Sequence, residues 1–599
     1  MTEGLGLPGS REELRDATCV MTPAGLQANA ELERRRAIVL VLNAASYALL
    51  LLLAATVLGA GGWTDVGWVM FVCFAIGTPW TVLGFWNAMI GLWLLHGGRD
   101  VRAEVAPFMA AGDTPVPLKA RVAIAMTVRN EDPGRAMVRL KTVKASLDAT
   151  GEGAAFSYFL LSDTDRSEIA ALEDAAVGEW KAAVGDGDPV VYRRRLVNTG
   201  FKSGNLRAFC ENEGRGFELM VPLDADSLMS GPTIVKLTRM MDAYPRLGIV
   251  QSLVVGIPSN SAFARIFQLG MRLGMRTYTM GQAWWTGDCG PFWGHNALVR
   301  IAPFRDDCSL PMIKGAPPFG GHVLSHDQVE ATLMRRAGYE VRVVPLEGGS
   351  WEENPPTMLD FLARDARWCQ GNLQYVRLLD MPGLLPMSRF QLVWAIAMFA
   401  GLPAWTLTIA LLPWAAWHFQ AVPEFPVGLA KGLYVVFLLM YLSPKIAGLI
   451  DAALTKGEVA RFGGALRFGT SVAIELVFSF LQGAVSTMRT TIFMVGLLLG
   501  KSVVWGTQSR EAYGVSWQSA ASELWLQTLF GVAVWGALWV ASPATLLWSL
   551  PLTAGYLLAV PVCVVTADPR VGAWMKRRGI AGVPEDFDLP DEIRAVTGF

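Results

Sequence analysis

Four stretches of this chain carry no formal charge at all: residues 37–64, 66–98, 390–423 and 524–567. Each exceeds the roughly 18–20 apolar residues that an α-helix needs to cross a bilayer. The last is long enough for two helices, broken near Ser542 and Pro543. Two more apolar regions lie at 429–450 and 468–500, the second interrupted by Glu475 and Arg489. Such a pattern excludes a wholly soluble protein. The composition agrees, with 52% hydrophobic and 17% charged residues, 22 Trp and a mean hydropathy of +0.35. A net charge of −1 gives no global electrostatic case for nucleic acid. Seven scattered Cys without paired spacing argue against a disulfide framework or a zinc ribbon.

The charged residues gather between these runs and set the layout. Residues 1–35 form a polar N-terminal segment, and 36–98 hold two transmembrane helices. Residues 99–389 have the composition of a soluble domain. Residues 390–567 form a transmembrane bundle, with interfacial or re-entrant helices near 468–500 and a loop at 501–521, and 568–599 form a tail. The polar segment ahead of the first span, ending in Glu33, Arg34, Arg35 and Arg36, is not the start of a cleaved signal peptide. Basic residues flank the cytoplasmic ends of membrane helices. Arg34–Arg36, the loop carrying Lys456, Arg461 and Arg467, and the tail carrying Lys576, Arg577 and Arg578 therefore share one side with the soluble domain. That requires an even number of crossings, from six to eight. It also keeps Gly506–Arg510 on the cytoplasmic side.

Within 99–389 the pattern is strand and helix in alternation. Buried strands are expected at 121–128, 156–161, 219–223 and 247–255, and these mean a doubly wound α/β sheet. Pro133 suits a helix start, with Asn130 or Asp132 as its cap. Ligands in such sheets collect at the carboxyl ends of the strands. There the chain carries Asp163, then Lys202 after a Gly-rich turn, then Asp224 and Asp226 one residue apart. Acid-X-acid offers hard oxygen donors, which suit Mg²⁺ or Mn²⁺ carrying a diphosphate. Alone, each has an ordinary reading: a polar strand end, a turn aspartate, a surface lysine. Together at one sheet edge they describe a nucleotide-diphosphate site.

In this order, Asp163, Lys202 and Asp224-Ala-Asp226 resemble the GT-A core of glycosyltransferase family 2, as in cellulose synthase. The similarity continues through Phe292-Trp-Gly-His-Asn296, Ser325-His-Asp327 and Arg364-Asp-Ala-Arg-Trp368. The wording of Asn130-Glu-Asp-Pro133, Trp293-Gly-His-Asn-Ala297, Glu330–Gly338 and Arg367-Trp-Cys-Gln-Gly-Asn372 resembles the glucans biosynthesis glucosyltransferase H family more closely still. The resemblance implies an α/β GT-A (Rossmann-like) cytoplasmic catalytic domain inserted in an α-helical polytopic domain of the bacterial inner membrane. It implies an inverting, processive UDP-glucose-dependent enzyme building the β-1,2-glucan backbone of osmoregulated periplasmic glucans, with UDP-glucose, the growing β-glucan and membrane lipid as partners. For some members it also implies acyl carrier protein.

The same resemblance gives the residues roles. Asp163, Lys202, Asp224 and Arg367 bind the nucleotide sugar, and Asp224 with Asp226 holds the metal. Asp327 is the general base, while Trp368, His295 and Trp293 meet the acceptor. Position 364 departs from the family, which has Gln where this chain has Arg. Asp327 also has an ordinary reading, because Ser325 to Gln328 has the spacing of a capping box and an acid is favoured in a first helical turn. That position acts to depress its pKa.

Two other features await the structure. Phe263, Phe267, Met271, Met275 and Tyr278 make a stripe beside Arg265, Arg272 and Arg276, fit for a bilayer surface or for an ordinary core-facing helix. Glu475, Gln482 and Trp505 are candidates for lining a glucan channel. Two alternatives to a periplasmic-glucan synthase stay open: another polysaccharide synthase or lipid-linked sugar transferase, and a transporter with a nucleotide-sensing domain. Asp327 and Arg367-Trp368 weigh against the last, since a sensor needs neither a base nor an acceptor platform.

Overall fold

The structure, a computed structural model, describes residues 19–22, 25–98, 100–184, 190–502 and 511–597. Trp505 and Gly506–Arg510 lie outside the described residues. After a short antiparallel hairpin (Cys19–Thr22 with Gly25–Ala28) come two long apolar helices, α1 (Asn29–Leu58) and α2 (Asp65–His96). The catalytic domain follows. Its sheet strands are β1 (Val122–Val128), β2 (Phe156–Ser162), β3 (Val190–Arg194), β4 (Leu219–Asp224), β5 (Leu228–Met229), β6 (Leu247–Gly256), β7 (Ala297–Arg300) and β8 (Glu340–Glu352). Their order is 3-2-1-4-7-6-8-5. Strands β3, β2, β1 and β4 run parallel, β7 is antiparallel to both its neighbours, and β8 pairs parallel with β6.

The apolar run of β1 is explained by burial on both faces. Val122, Ile124, Met126 and Val128 face one core, packed with Leu140, Val143 and Leu147 of α3 (Pro133–Asp148). Ala123 and Ala125 face the other, with Leu206 and Phe209 of α5 (Phe201–Glu211). Between these helices lies α4 (Ser167–Val184), and beyond them α6 (Gly231–Ala243), whose Ile234 and Leu237 complete the first core. Asp132 caps α3 by accepting from Arg135 N at 3.2 Å, and Pro133 is its first residue.

Helix α7 (Ala262–Thr286) corrects the bilayer-surface reading. Phe263, Arg265 and Arg272 are buried. Its far half packs on α2 through facing glycines, since a Cβ at Gly281 would strike the Asn87 carbonyl and one at Gly91 would strike that of Thr277. The arginines do not meet lipid headgroups. Arg265 pairs with Asp586 at 2.7 Å, and Arg272 pairs with Glu347 at 2.7 Å and Glu585 at 3.2 Å. Arg276 reaches Asp451 at 3.5 Å.

After α8 (Asp327–Arg336) and α9 (Met358–Gln374) the chain enters the bundle. Its helices are α10 (Pro386–Gln420), α11 (Val427–Leu454), α12 (Ala465–Leu498), α13 (Trp517–Ala541) and a pair bent by 60°, α14 (Pro543–Leu557) and α15 (Ala559–Ala567). Among the described residues, six helices are long and apolar enough to cross a membrane, seven if the bent pair is one span. Residues 468–500 are not a broken pair: α12 is one unbroken helix despite Gly483 and Gly496. Glu475 within it is buried and paired with Lys445 of α11, so its charge is met by a cation rather than presented to a pore.

The tail returns to the catalytic domain. Helix α16 (Pro569–Arg578) packs Gly572 against Asn260, and α17 (Asp591–Thr597) lies on α3 and β5 and buries Ile593 in the first core. Ser146 donates to Glu592 at 2.6 Å, beside that insertion. We expect Ile593→Asp to destabilise the domain by about 3–5 kcal/mol, since it removes apolar burial and buries a carboxylate. Asp586→Asn, which leaves Arg265 buried without its anion, is expected to cost a similar amount. Thermal unfolding of the detergent-solubilised protein checks both. A melting temperature within a degree of the parent's would show that the tail adds nothing to the core.

Candidate active site

Three parallel strands end side by side and place the site. Val128 of β1 pairs with Ser162 of β2, and Thr127 pairs with Asp224 of β4, so Asn130, Asp163 and Asp224 emerge at one edge. The β1 and β2 ends are tied together, as Asn130 Nδ2 donates to Asp165 at 2.8 Å and its backbone N–H to Thr164 Oγ1 at 2.9 Å. Asp163 is buried, and both its oxygens are engaged by Arg195, at 2.7 and 2.8 Å. The same guanidinium donates to the carbonyls of Thr199 and Phe201, so Asp163 shapes the turn that precedes Lys202. That turn needs a left-handed backbone at Gly200 (φ +72) and, against preference, at Phe201 (φ +54). Arg195 was not singled out in the sequence, although it belongs to the conspicuous run Arg193-Arg194-Arg195.

Lys202 Nζ lies 2.5 Å from Asp224 Oδ1. A tight turn follows, with Ser227 N donating to the Asp224 carbonyl at 3.0 Å and Asp224 N to Ser227 Oγ at 3.1 Å. It leaves Asp224 and Asp226 partly exposed at the strand end. As hard oxygen donors, the two carboxylates fit a small divalent cation. Among the described residues no group of three or more His, Cys, Asp or Glu gathers to cage a metal. Two carboxylates leave a divalent cation to take its other oxygens from water and phosphate.

Across the pocket stands the turn Trp293–Asn296. It is fixed from below by two buried amides. Gln251 accepts from Trp293 N at 2.9 Å and donates to the His295 carbonyl at 3.1 Å, while Asn296 Nδ2 donates to Ser350 Oγ and the Trp351 carbonyl. Gly294 is the point of closest approach. A Cβ there would sit 3.4 Å from the His326 ring, 3.5 Å from Asp327 Cβ and 3.7 Å from Lys202 Nζ. The cation, the candidate base and the turn thus share one small space. His295 sits beside it, 3.2 Å from Ser227 Oγ and 3.4 Å from Glu352. Trp293 packs against the apolar cluster to which Leu94, Met280, Trp285 and Val343 belong.

Asp327 is the first residue of α8, but the expected capping box does not form: His326 is the cap and makes no side-chain cap bond. Nor is the pKa of Asp327 depressed. Burial raises it, against the opposing pull of His326, the Gln328 backbone N–H and Lys202. Protein closes around the carboxyl while one side stays open to the pocket. A base with a raised pKa is a stronger one. His326 Nδ1 and Ser203 Oγ both bond the buried Glu330, at 2.8 and 2.6 Å. Glu330 therefore couples the helix carrying Lys202 to the helix carrying Asp327. Burial lowers the His326 pKa, and the Glu330 carboxylate more than reverses it, so the net direction is up.

Helix α9 completes the site from the membrane side. Gly371 lies against the strand of chain leading to Asp327, where any Cβ would come within 2.8 Å of Ser325 N. Tyr375 and Gln374 bond the same segment, at the Ser325 carbonyl (2.7 Å), Leu324 N (2.9 Å) and the His322 carbonyl (3.2 Å). Arg367 is buried and Trp368 is 45% exposed. The guanidinium of Arg364, left without a role by the sequence, lies 4.7 Å from the Trp368 ring centroid. It covers one face of the indole and leaves the other for a ligand.

A Rossmann-like parallel half-sheet continued by antiparallel strands, with acid-X-acid at its switch edge and apolar helices on either side, defines a membrane-embedded GT-A glycosyltransferase. Residues 219–442 match the family model described as glycosyl transferase family group 2. Over 550 residues the chain is 34% identical to the glucans biosynthesis glucosyltransferase H of Xanthomonas campestris pv. campestris (strain B100), covering 89% of this chain and 84% of that one. The Pseudomonas aeruginosa protein of the same description is 36% identical over 549 residues, covering 87% of this chain and 62% of its own. A mannosyltransferase from Pyrobaculum calidifontis, solved with GDP-Man and Mn2+, aligns over 65% of this chain and 99% of its own at 17% identity and a TM-score of 0.39, too distant to carry anything across. The chain belongs to the glucans biosynthesis glucosyltransferase H family.

Proposed function

We propose that this protein transfers glucose from UDP-glucose to the end of a growing β-glucan, with inversion and without release between additions, building a β-1,2-linked backbone for periplasmic glucans. The observation that carries it is the convergence at Gly294, which brings Lys202 and Asp327 within one sugar's width of each other beside Asp224 and Asp226. Lys202 and Arg367 bind the diphosphate, and Asp163 acts at the nucleoside end through Arg195. Asp224 and Asp226 hold Mg²⁺ or Mn²⁺, which when bound neutralises charge on the diphosphate. Asp327 takes the proton of the acceptor hydroxyl. The freed oxygen attacks the anomeric carbon from the face opposite UDP, the C1–O bond to UDP breaks, and UDP keeps its electrons. One displacement turns an α-linked donor into a β-glucoside. The terminal acceptor sugar stacks on the open face of Trp368, with His295 and Trp293 beside it.

The catalytic domain lies in the cytoplasm of a bacterial cell, beneath an inner membrane crossed six times. Helix α12 begins next to the tail, where Arg467 lies over Phe587 and Ala581 N bonds Ser471 at 2.8 Å. Near its end Thr490 bonds Asp365 of α9 at 3.0 Å, and beyond it Tyr513 bonds Asp360 at 2.9 Å. Both ends being on the catalytic side, α12 runs under the domain without completing a crossing. The crossings are then α1, α2, α10, α11, α13 and the bent pair, an even count that returns the tail to the domain. Acyl carrier protein is carried over from the family resemblance alone.

Purified protein given Mg²⁺ and UDP-glucose is expected to release UDP and form a polymer whose linkage analysis gives 2-substituted glucose. No UDP release would overturn the reading as a glucosyltransferase. A 4-substituted product would retain the site and overturn the β-1,2 backbone.

A further inference from the structure

A second cavity, of about 640 Å³, lies outside the catalytic site where α1 and α2 meet the start of the domain. Its lining changes character along one direction. Glu31, Arg34 and Arg35 form the polar end with Glu104, and Ile38, Leu42, Ile90 and Trp93 form the apolar end. On α1 these residues recur every three or four positions, so they share one face, and Glu31 to Leu42 spans about 16 Å. The change from charged to apolar falls between Arg36 and Ala37, where the charge-free run begins. The cavity therefore straddles the level at which lipid headgroups give way to acyl chains, with Trp93 and Trp284 at the height favoured by interfacial aromatics.

The polar end is built rather than incidental. Arg35 is buried, pairs with Glu31, donates to the carbonyls of Glu104 (3.1 Å) and Trp284 (3.3 Å), and lies over the Trp284 ring at 5.1 Å. Trp284 Nε1 donates to Glu104 Oε1 at 3.0 Å. Arg34 is exposed at the rim. Two arginines against two glutamates leave the lining with no net charge, which favours a headgroup carrying both signs over an anionic one. An arginine fork suits a phosphodiester, and an adjacent carboxylate suits a primary ammonium.

We propose that this cavity binds one phospholipid with an ethanolamine headgroup, its phosphate on Arg34, its ammonium toward Glu31, and an acyl chain along Ile38, Leu42 and Ile90. The site ties α1 and α2 to Trp284 at the end of α7, the helix that supports the sheet. It is tested on the full-length protein, delipidated in detergent and titrated with phosphatidylethanolamine under native mass spectrometry. One lipid per chain is expected. Arg34→Glu, and separately Trp93→Ala, should weaken it by roughly tenfold or more, as the loss of a charge-assisted bond or an apolar wall requires. Both variants should melt like the parent when no lipid is present. Three outcomes overturn the proposal: unchanged affinity in both variants, equal affinity for phosphatidylglycerol, or equal binding of soluble glycerophosphoethanolamine.

Discussion

Asp327→Asn is expected to abolish polymer formation, with kcat falling by roughly 10²–10⁴-fold, the usual contribution of a positioned base. Binding of UDP-glucose should stay within about twofold of the parent, since the proposed nucleotide contacts are Lys202, Arg367 and the Asp163–Arg195 pair, not Asp327. Asparagine keeps the size of the carboxylate and loses only the ability to take a proton. The pH dependence carries a sign. Burial raises the Asp327 pKa, so the proton that disables the base is lost at a higher pH than for an ordinary aspartate. The parent's rate should therefore rise with pH along a limb displaced upward from the usual carboxylate range, and the residual rate of the variant should lack that limb. Titration calorimetry with UDP-glucose beside a pH series of initial rates separates the two. Lost nucleotide binding in Asp327→Asn would mean that the carboxylate belongs to the donor site and that the base lies elsewhere.

Removal of divalent metal should have an effect of the same order. Protein treated with a chelator is expected to show no transfer, and added Mg²⁺ or Mn²⁺ to restore it. Asp226→Asn should raise the metal concentration needed for half-maximal rate by roughly tenfold or more, because one of only two carboxylate donors is gone. Asp224→Asn adds a second defect, since Lys202 loses the carboxylate it pairs with at 2.5 Å. Its loss should exceed that of Asp226→Asn even at saturating metal. Full activity in the presence of chelator would leave Lys202 and Arg367 as the only cations on the diphosphate and would dismiss the metal.

Strand positions were legible because β1 and β4 are buried on both faces, which forces continuous apolar runs that no other environment demands. The strand-end acids followed from the topology. Less legible was whatever depends on a partner far along the chain. The stripe on α7 has the spacing of a membrane-surface helix, and only Asp586, Glu585 and Glu347, brought in from remote segments, show where its arginines go. Glycines and an internal Arg489 suggested a break in α12, yet neither breaks a helix braced along its length, and Arg489 reaches Glu523 at 2.7 Å. The net direction of the Asp327 pKa is illegible in the sequence for the same reason. A helix-start effect is local and visible in sequence, whereas the burial that outweighs it comes from packing. Glu330 did leave a trace, lying four residues after His326, a spacing that brings two side chains together on a helix.

The insertion of Ile593 into the first core has a consequence for how the enzyme is made. Strand β1 leaves the ribosome long before α17, and between them lies the entire membrane bundle. The catalytic domain is thus discontinuous in time as well as in sequence. Its first core stays open on one side until α10 to α15 have been threaded into the membrane and α17 can reach back. A chain stalled or mis-inserted at any of those helices lacks both the side chain that closes the core and the two anions of the tail, Asp586 for Arg265 and Glu585 for Arg272. Assembly of the bundle thereby becomes a precondition for a closed catalytic domain.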